Sequence, residues 1–422
     1  MKYRARVIDE ELAELVADVP AVSVVGPKAI GKTESAKRHA GTILDLADVD
    51  QRIVVQSARR EALAAAQPPV LIDEWQYDPD IWEAMRREVD ADPSPGRFIL
   101  TGSANPRDVR VHSGAGRLVR LRMRPMSLVE RGSALPSVSL AALWRGEQQV
   151  AGTSDLGLGD YVDEILGSGF PGIRFASERS RPRLLAGYVE SALEQDVPEL
   201  GFVPKRPASL AHWVRAYAAA SSTTATYESI AAAIPDDQRP TRATVNDYRD
   251  VLSHLWLLDQ VPAFTLSRNR LAGLGRTPKH QLADPALAAS LLRVTADTLL
   301  DTSAGREFAS LRDGPLLGTL FESLATLCVR VYAQPLELDV AHIRTARGER
   351  EVDLVVHAPD GRTIAFEVKL AATPDDRDVR HLHWLGDRLG DDLVDKIVLT
   401  TGRSAYRRAD GVAVIPLALL GP

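Results

Sequence analysis

Cysteine is almost missing from this chain: Cys328 stands alone among 422 residues, which excludes an internal disulfide and any metal site built from several thiolates. Its setting, "FESLATLCVRVYA", reads as a buried structural thiol. Lysine is scarce as well, at eight of 51 basic residues, so the position of each one carries information. No uninterrupted apolar run approaches the ~18 residues that a membrane span needs, and membrane insertion is not expected. The first twenty residues bring acids early and show no apolar stretch followed by a small-residue cleavage site, so the expectation is a cytoplasmic protein. A net charge of −6 argues against an overall cationic coat and leaves local patches to be judged one by one.

What is present is enough chain for two to four domains. Strand-like and helix-like runs alternate over the first hundred residues: strands at 21–25, 42–46, 70–72 and 97–100, with helices after Gly31 and around 81–89. That order predicts an α/β unit with a parallel sheet, over 1–155. A helical linker or lid follows over 156–205. From 206 to 300 the pattern is three helices, "SLAHWVRAYAAA", "TYESIAAAI" and "TRATVNDYRDVLSHL", then a strand-like "LLDQVPAF". Thr226 and Thr241 are placed as N-caps. Val245, Tyr248, Val251 and Leu252 share one face of the third helix, while Arg242, Asn246 and Arg249 point elsewhere. This is the layout of a winged helix-turn-helix, with Arg268, Arg270, Arg276 and Lys279 on the expected wing. Such cations would meet DNA phosphates, and a winged helix docks proteins as well. A second α/β unit closes the chain over 301–422.

The residues Gly26, Pro27, Lys28, Ala29, Ile30, Gly31, Lys32 and Thr33 read "GPKAIGKT", between a strand and a helix. They match the phosphate-binding pattern G-x-x-x-x-G-K-[ST]. Glycines let backbone N–H groups curl around phosphate oxygens, Lys32 reaches the terminal phosphates and Thr33 ligates Mg²⁺. The expected ligands are therefore ATP and Mg²⁺. Downstream, "PPVLIDEWQ" ends an apolar strand on Asp73, placed to hold the metal, and Glu74, placed to activate water. "GRFILTGSANP" delivers Ser103 and Asn105 as γ-phosphate contacts. Six arginines, at 107, 110, 117, 120, 122 and 124, then fall within eighteen residues. Of these Arg117, after a flexible Ser-Gly-Ala-Gly, is the candidate to neutralise transition-state charge, within its own chain or across an oligomer.

With these pieces in place the chain resembles the bacterial and archaeal AAA-superfamily ATP-binding proteins that carry a C-terminal domain of unknown function with a restriction-endonuclease-like fold. The shared stretches run in order: "GPKAIGKT", "LIDEWQ", "RFILTGSANP", "GAGRLVRLRMRPMSL", "LADPALAASLL", "LFESLA", "EVDLVV", "AFEVKL" and "DGVAVIPLALL". One position departs, since Gln195 precedes Asp196 where relatives usually carry a basic residue. The resemblance implies a P-loop NTPase sheet, a helical and winged-helix region, and a PD-(D/E)xK nuclease-like α/β domain. In that last domain Asp353, Glu367 and Lys369 fit the family's loose pattern: two carboxylates to share a second divalent metal and a lysine to steer water, with Glu322 completing the shell. Fold alone does not establish cleavage. Three readings stay open: an ATPase whose nucleotide state moves the later domains on DNA, an ATP-gated regulator that binds a protein partner without cutting, and an ATP-dependent nuclease.

Overall fold

The computed structural model describes residues 3–102, 116–147, 149–266, 276–301, 303, 305, 310–345 and 348–422. Strands β1 (Ala21–Val25), β2 (Thr42–Asp45), β3 (Val70–Asp73), β4 (Phe98–Gly102) and β5 (Leu118–Arg122) form an all-parallel sheet in the order β2-β3-β4-β1-β5. Alternate side chains enter different cores. Val22, Val24, Leu71 and Ile99 face one, while Ala21, Val70, Ile72, Phe98 and Leu100 face the other. Burial on both faces is why these strands read as short apolar runs rather than as alternating polar and apolar residues.

The middle of the chain is helical: Leu158–Gly167, Arg181–Ser191, Pro207–Ala219, Tyr227–Ala232, Arg242–His254 and Pro285–Leu292. The hydroxyl of Thr226 accepts from the Ser229 N–H at 3.1 Å and that of Thr241 from the Thr244 N–H at 3.3 Å, so both act as N-caps. On the helix Arg242–His254 the residues Val245, Tyr248, Val251 and Leu252 are buried and Arg242 and Asn246 exposed. The "LLDQVPAF" stretch makes only isolated bridges, Leu258 with Leu282, Val261 with Lys279 and Ala263 with His342. Arg268 and Arg270 lie outside the described residues. Arg276 is exposed, but Lys279, expected on the wing, turns inward and is fully buried, drawn by carboxylates from the last part of the chain.

Short strands β6 (Val138–Ser139) and β7 (Gly152–Thr153) precede these helices, and a small hairpin, β8 (Leu300–Asp301) with β9 (Ser310–Leu311), follows them. The last unit contains β10 (Asp339–Arg344), β11 (Glu351–His357), β12 (Thr363–Lys369), β13 (Leu393–Thr400), β14 (Ser404–Arg407), β15 (Ala413–Pro416) and β16 (Leu420–Gly421). Its sheet runs β10-β11-β12-β13-β15-β14-β7, and β16 pairs with β6. β6 and β7 thus hydrogen-bond to the carboxy-terminal strands although they follow the first sheet in sequence. The helix Gly314–Ala333 is long and apolar enough to cross a membrane, yet most of its apolar stretch is buried against this sheet and the middle helices.

A single buried carboxylate joins all three regions. Asp259 lies 3.0 Å from Arg122 and 2.9 Å from Arg124, at and just beyond the end of β5, and also pairs with Arg330 of the helix Gly314–Ala333. Arg330 fixes the backbone too, donating to the Asp259 and Gln260 carbonyls at 2.7 and 2.6 Å. Burial opposes the charge on Asp259, but the three guanidiniums hold its pKa far below the usual carboxylate range. Asp259→Asn keeps the shape and leaves buried Arg330 and the partly buried Arg122 and Arg124 without their carboxylate. It is expected to cost about 3–5 kcal/mol, read as a lower denaturant midpoint; an unchanged midpoint would show that the cluster does not tie the regions together.

Candidate functional site

The loop 26–31 leaves the carboxyl end of β1 and enters the helix Lys32–Lys37. Gly26 has φ +150°, and a Cβ there would sit 2.3 Å from the Met123 carbonyl oxygen, so only glycine fits. The Lys32 side chain curls back over the loop and donates to the carbonyls of Gly26 and Pro27 at 3.0 and 2.7 Å. Only 5 % of Lys32 is exposed, and burial pushes its ammonium down to about 8. Thr33 Oγ1 donates to Asp73 Oδ1 at 2.8 Å, and Thr101 Oγ1 donates to the same oxygen. A hydroxyl and a carboxylate beside a loop lined with an ammonium suit Mg²⁺ and a polyphosphate, so these residues fit the expected ligands.

Glu74 follows Asp73 in a left-handed conformation, φ +50°, uncommon for a residue with a side chain. Its carboxylate accepts from Gln76 Nε2. Burial raises its pKa, against the pull of Gln76 and Lys32, the direction that favours a general base. Lys28, Glu74 and Tyr77 line a cavity of about 480 Å³ that is closed from the other side by Asp196 and Leu200 of the helical region. Lys28 Nζ is 3.0 Å from Asp196 Oδ1, at the end of the π-helical turn Ala192–Asp196. π-turns of this kind occur often at functional sites.

Not every expected residue gathers here. Ser103 and Asn105 lie outside the described residues. Arg117 precedes β5 at the amino end of the sheet, about 16 Å along the strand from the loop. There it pairs with Asp90 of the helix Asp80–Ala91. Any charge-neutralising role for Arg117 would therefore need a second copy of the chain. Two contributors were not legible as such. Thr101 shares Asp73, and Arg6 fastens the loop from behind, donating to the Ile30 carbonyl at 2.8 Å and to Glu130 at 2.9 Å.

The second candidate cluster forms where β10, β11 and β12 meet. Ala341 pairs with Val355 and Ile343 with Val352, so His342 faces two residues, Asp353 and Leu354. This β-bulge shifts the side-chain alternation and re-aims Asp353. Asp353 Oδ2 accepts from the Val368 N–H at 2.9 Å and lies 3.9 Å from Lys369 Nζ, which is 2.8 Å from Glu367 Oε2. Lys279 Nζ sits 2.7 Å from Glu322 Oε1 and 3.3 Å from Asp353 Oδ1. Burial works against its charge, but Lys279 and then Lys369 keep Asp353 below the usual carboxylate range. Burial and the neighbouring Asp353 drive Glu367 well above it, and burial lifts Glu322 to about 7. The four expected residues do come together, with a lysine between Glu322 and Asp353. Among the described residues no group of three or more His, Cys, Asp or Glu side chains is arranged to hold a metal ion.

On the third helical face, exposed Arg242 has Glu228 at 3.7 Å, and Arg249 lies 3.4 Å from Asp250 and 5.3 Å over the Tyr227 ring.

Comparison with known proteins bears on these sites. The AAA domain family matches residues 18–131, and two domains of unknown function, DUF8612 and DUF4143, match 158–298 and 317–420. Uncharacterised proteins of Mycobacterium tuberculosis and Mycobacterium bovis are each 26% identical over 364 residues, 84% of this chain and 71% of theirs. Among solved structures, a Walker-type ATPase of Pyrococcus abyssi aligns at 13% identity and TM-score 0.38, covering 67% of this chain and 94% of its own. The Aeropyrum pernix ORC2 protein, in ADPNP–ADP complexes, aligns at 15% identity and TM-score 0.34, covering 70% and 94%. The matched span contains the phosphate loop, β1 to β5 and the Asp73–Glu74 pair. Residues 18–131 are similar to the AAA domain family, and that match, over a parallel sheet with a phosphate loop, supports ATP binding by the amino-terminal region.

Proposed function

We propose that the chain is an ATP-hydrolysing switch in which the nucleotide alters how the helical region sits against the P-loop domain. The observation that carries this is the Lys28–Asp196 contact across the cavity beside the loop. Phosphate oxygens arriving at the loop would compete with Asp196 for Lys28 and with the Gly26 and Pro27 carbonyls for Lys32. Release of Asp196 then frees the π-helical turn that joins the helix Arg181–Ser191 to the rest of the helical region. Thr33 and Asp73 would hold Mg²⁺, whose chemistry is to neutralise the triphosphate and polarise its terminal phosphoryl group. Glu74 orients and deprotonates the attacking water. The exposed Arg242 and Asn246 support a second reading, in which the switch acts on DNA through the helix Arg242–His254.

Lys32→Ala is expected to abolish ATP binding. Glu74→Gln is expected to keep binding and cut turnover by about 10²–10⁴-fold. Isothermal titration with steady-state phosphate release checks both, and brisk hydrolysis by either variant would overturn the assignment.

The Lys32 shift sets a pH dependence. In the free protein the ammonium is present below about 8 and lost above it, whereas a bound triphosphate favours the charged form. Binding above that pH takes up a proton, so ATP affinity should fall towards about tenfold per pH unit. Titrations at pH 7 and 9.5, in buffers of different ionisation enthalpy, measure the affinity change and the proton together. A flat profile would refute it.

For the second reading, Arg242→Ala combined with Arg249→Ala should weaken DNA binding and reduce the slope of log affinity against log salt by about 1–2. An unchanged slope would remove this helix from any DNA interface.

A further inference from the structure

Lys279 is placed where solvent cannot reach it and where negative charge surrounds it. Its side chain is 0 % exposed. Nζ lies 2.7 Å from Glu322 Oε1, 3.3 Å from Asp353 Oδ1 and 3.9 Å from Glu351 Oε1, and it donates to the Asp353 carbonyl at 3.3 Å. These oxygens come from the helix Gly314–Ala333 and from Glu351 and Asp353 of β11, and a divalent ion held by Glu322 and Asp353 would need the oxygens that Lys279 already engages. The other Asp353 oxygen is already engaged by the Val368 N–H and faces Lys369.

The lysine is also firmly seated. Its backbone exchanges two 2.9 Å hydrogen bonds with Val261. Next along the chain, the His280 N–H donates to the Thr223 carbonyl at 2.8 Å and its Nε2 meets the Ala225 carbonyl at 2.7 Å. On the other flank the His342 N–H donates to the Pro262 carbonyl at 2.9 Å. A surface lysine that had fallen inward would have no such backbone frame.

We propose that Lys279 is the resident cation of this carboxylate cluster, and that its ammonium excludes a divalent metal ion from the position between Glu322 and Asp353. The carboxy-terminal unit then keeps the residues of a metal-dependent site while using them to fasten the segment that leads from the middle helices into the last sheet. Its part in the protein is docking rather than strand cleavage.

The test is Mn²⁺ binding followed by electron paramagnetic resonance of the free ion, without nucleotide, in an Asp73→Asn parent that silences the amino-terminal site. The parent should show no Mn²⁺ site that Asp353→Asn removes. Adding Lys279→Met, which keeps the volume and loses the charge, should create one Mn²⁺ site per chain, and Asp353→Asn on top should abolish it. The proposal is overturned if the parent already binds Mn²⁺ in an Asp353-dependent way. It is equally overturned if Lys279→Met folds, by circular dichroism, and gains no site. Should Lys279→Met fail to fold, the parent against its Asp353→Asn variant decides alone: equal Mn²⁺ uptake supports the proposal and a loss refutes it.

Discussion

Three guanidiniums converging on Asp259 hold the two ends of this chain together. Arg122 and Arg124 come from the end of β5, the strand hydrogen-bonded beside β1 and hence beside the phosphate loop. Arg330 comes from the long buried helix that supports the last sheet. A buried carboxylate facing one buried and two partly buried cations is costly to desolvate and is tolerable only while the partners are in place. That makes the arrangement specific: shift one region and buried charge is left uncompensated. A continuous apolar core from Ile8 to Leu420 adds bulk cohesion but little direction, because the hydrophobic effect is non-directional. The ionic cluster sets the register of the regions, and the core supplies most of the binding energy.

The same economy appears at the phosphate loop. Arg6, from the amino-terminal segment, reaches the Ile30 carbonyl, Glu130 and the Arg124 carbonyl at 2.8, 2.9 and 2.6 Å. Arg124 is itself a partner of Asp259. Loop, β5 and the ionic centre are therefore linked by two side chains. A change in the loop on binding a triphosphate has a short, polar route to the middle helices, besides the direct one through Lys28 and Asp196.

What could be read in advance followed how local the signal was. The phosphate loop and the Asp73–Glu74 pair each occupy a few consecutive residues beside an apolar strand, and their geometry follows from that local order. The Thr226 and Thr241 caps were legible for the same reason. Thr101 was not, because a threonine inside an apolar strand looks like any β-branched residue until β3 and β4 pair and turn it towards Asp73. The bulge at Asp353 depends on how β10 meets β11, and β7 joins β14 across some 250 residues of chain. Neither leaves a pattern in its own segment. Arg117 was legible only in part: flanking glycines suggest reach, and the parallel pairing of β1 with β5 puts it at the far end of the sheet from the loop of its own chain.

Lys279 shows the sharpest form of this limit. Read with its neighbours, "GRTPKH" is a cationic turn, and its scarcity as one of eight lysines marked it only as worth attention. Its true neighbours, Glu322 and Asp353, lie 43 and 74 positions away. A buried ammonium loses its hydration and recovers it only from carboxylates that would otherwise repel one another. The carboxylates in turn need a cation to share their space. A metal ion and a lysine are alternative answers to that need, and they differ in what they allow. A metal would bring an exchangeable coordination position and so a route to water activation, whereas an ammonium has only N–H bonds to donate and no place for a substrate oxygen to bind as a ligand. On the proposal made for Lys279, the choice between docking and cutting in this unit turns on one covalently tethered charge, supplied from outside both the sheet and the helix that carry the carboxylates.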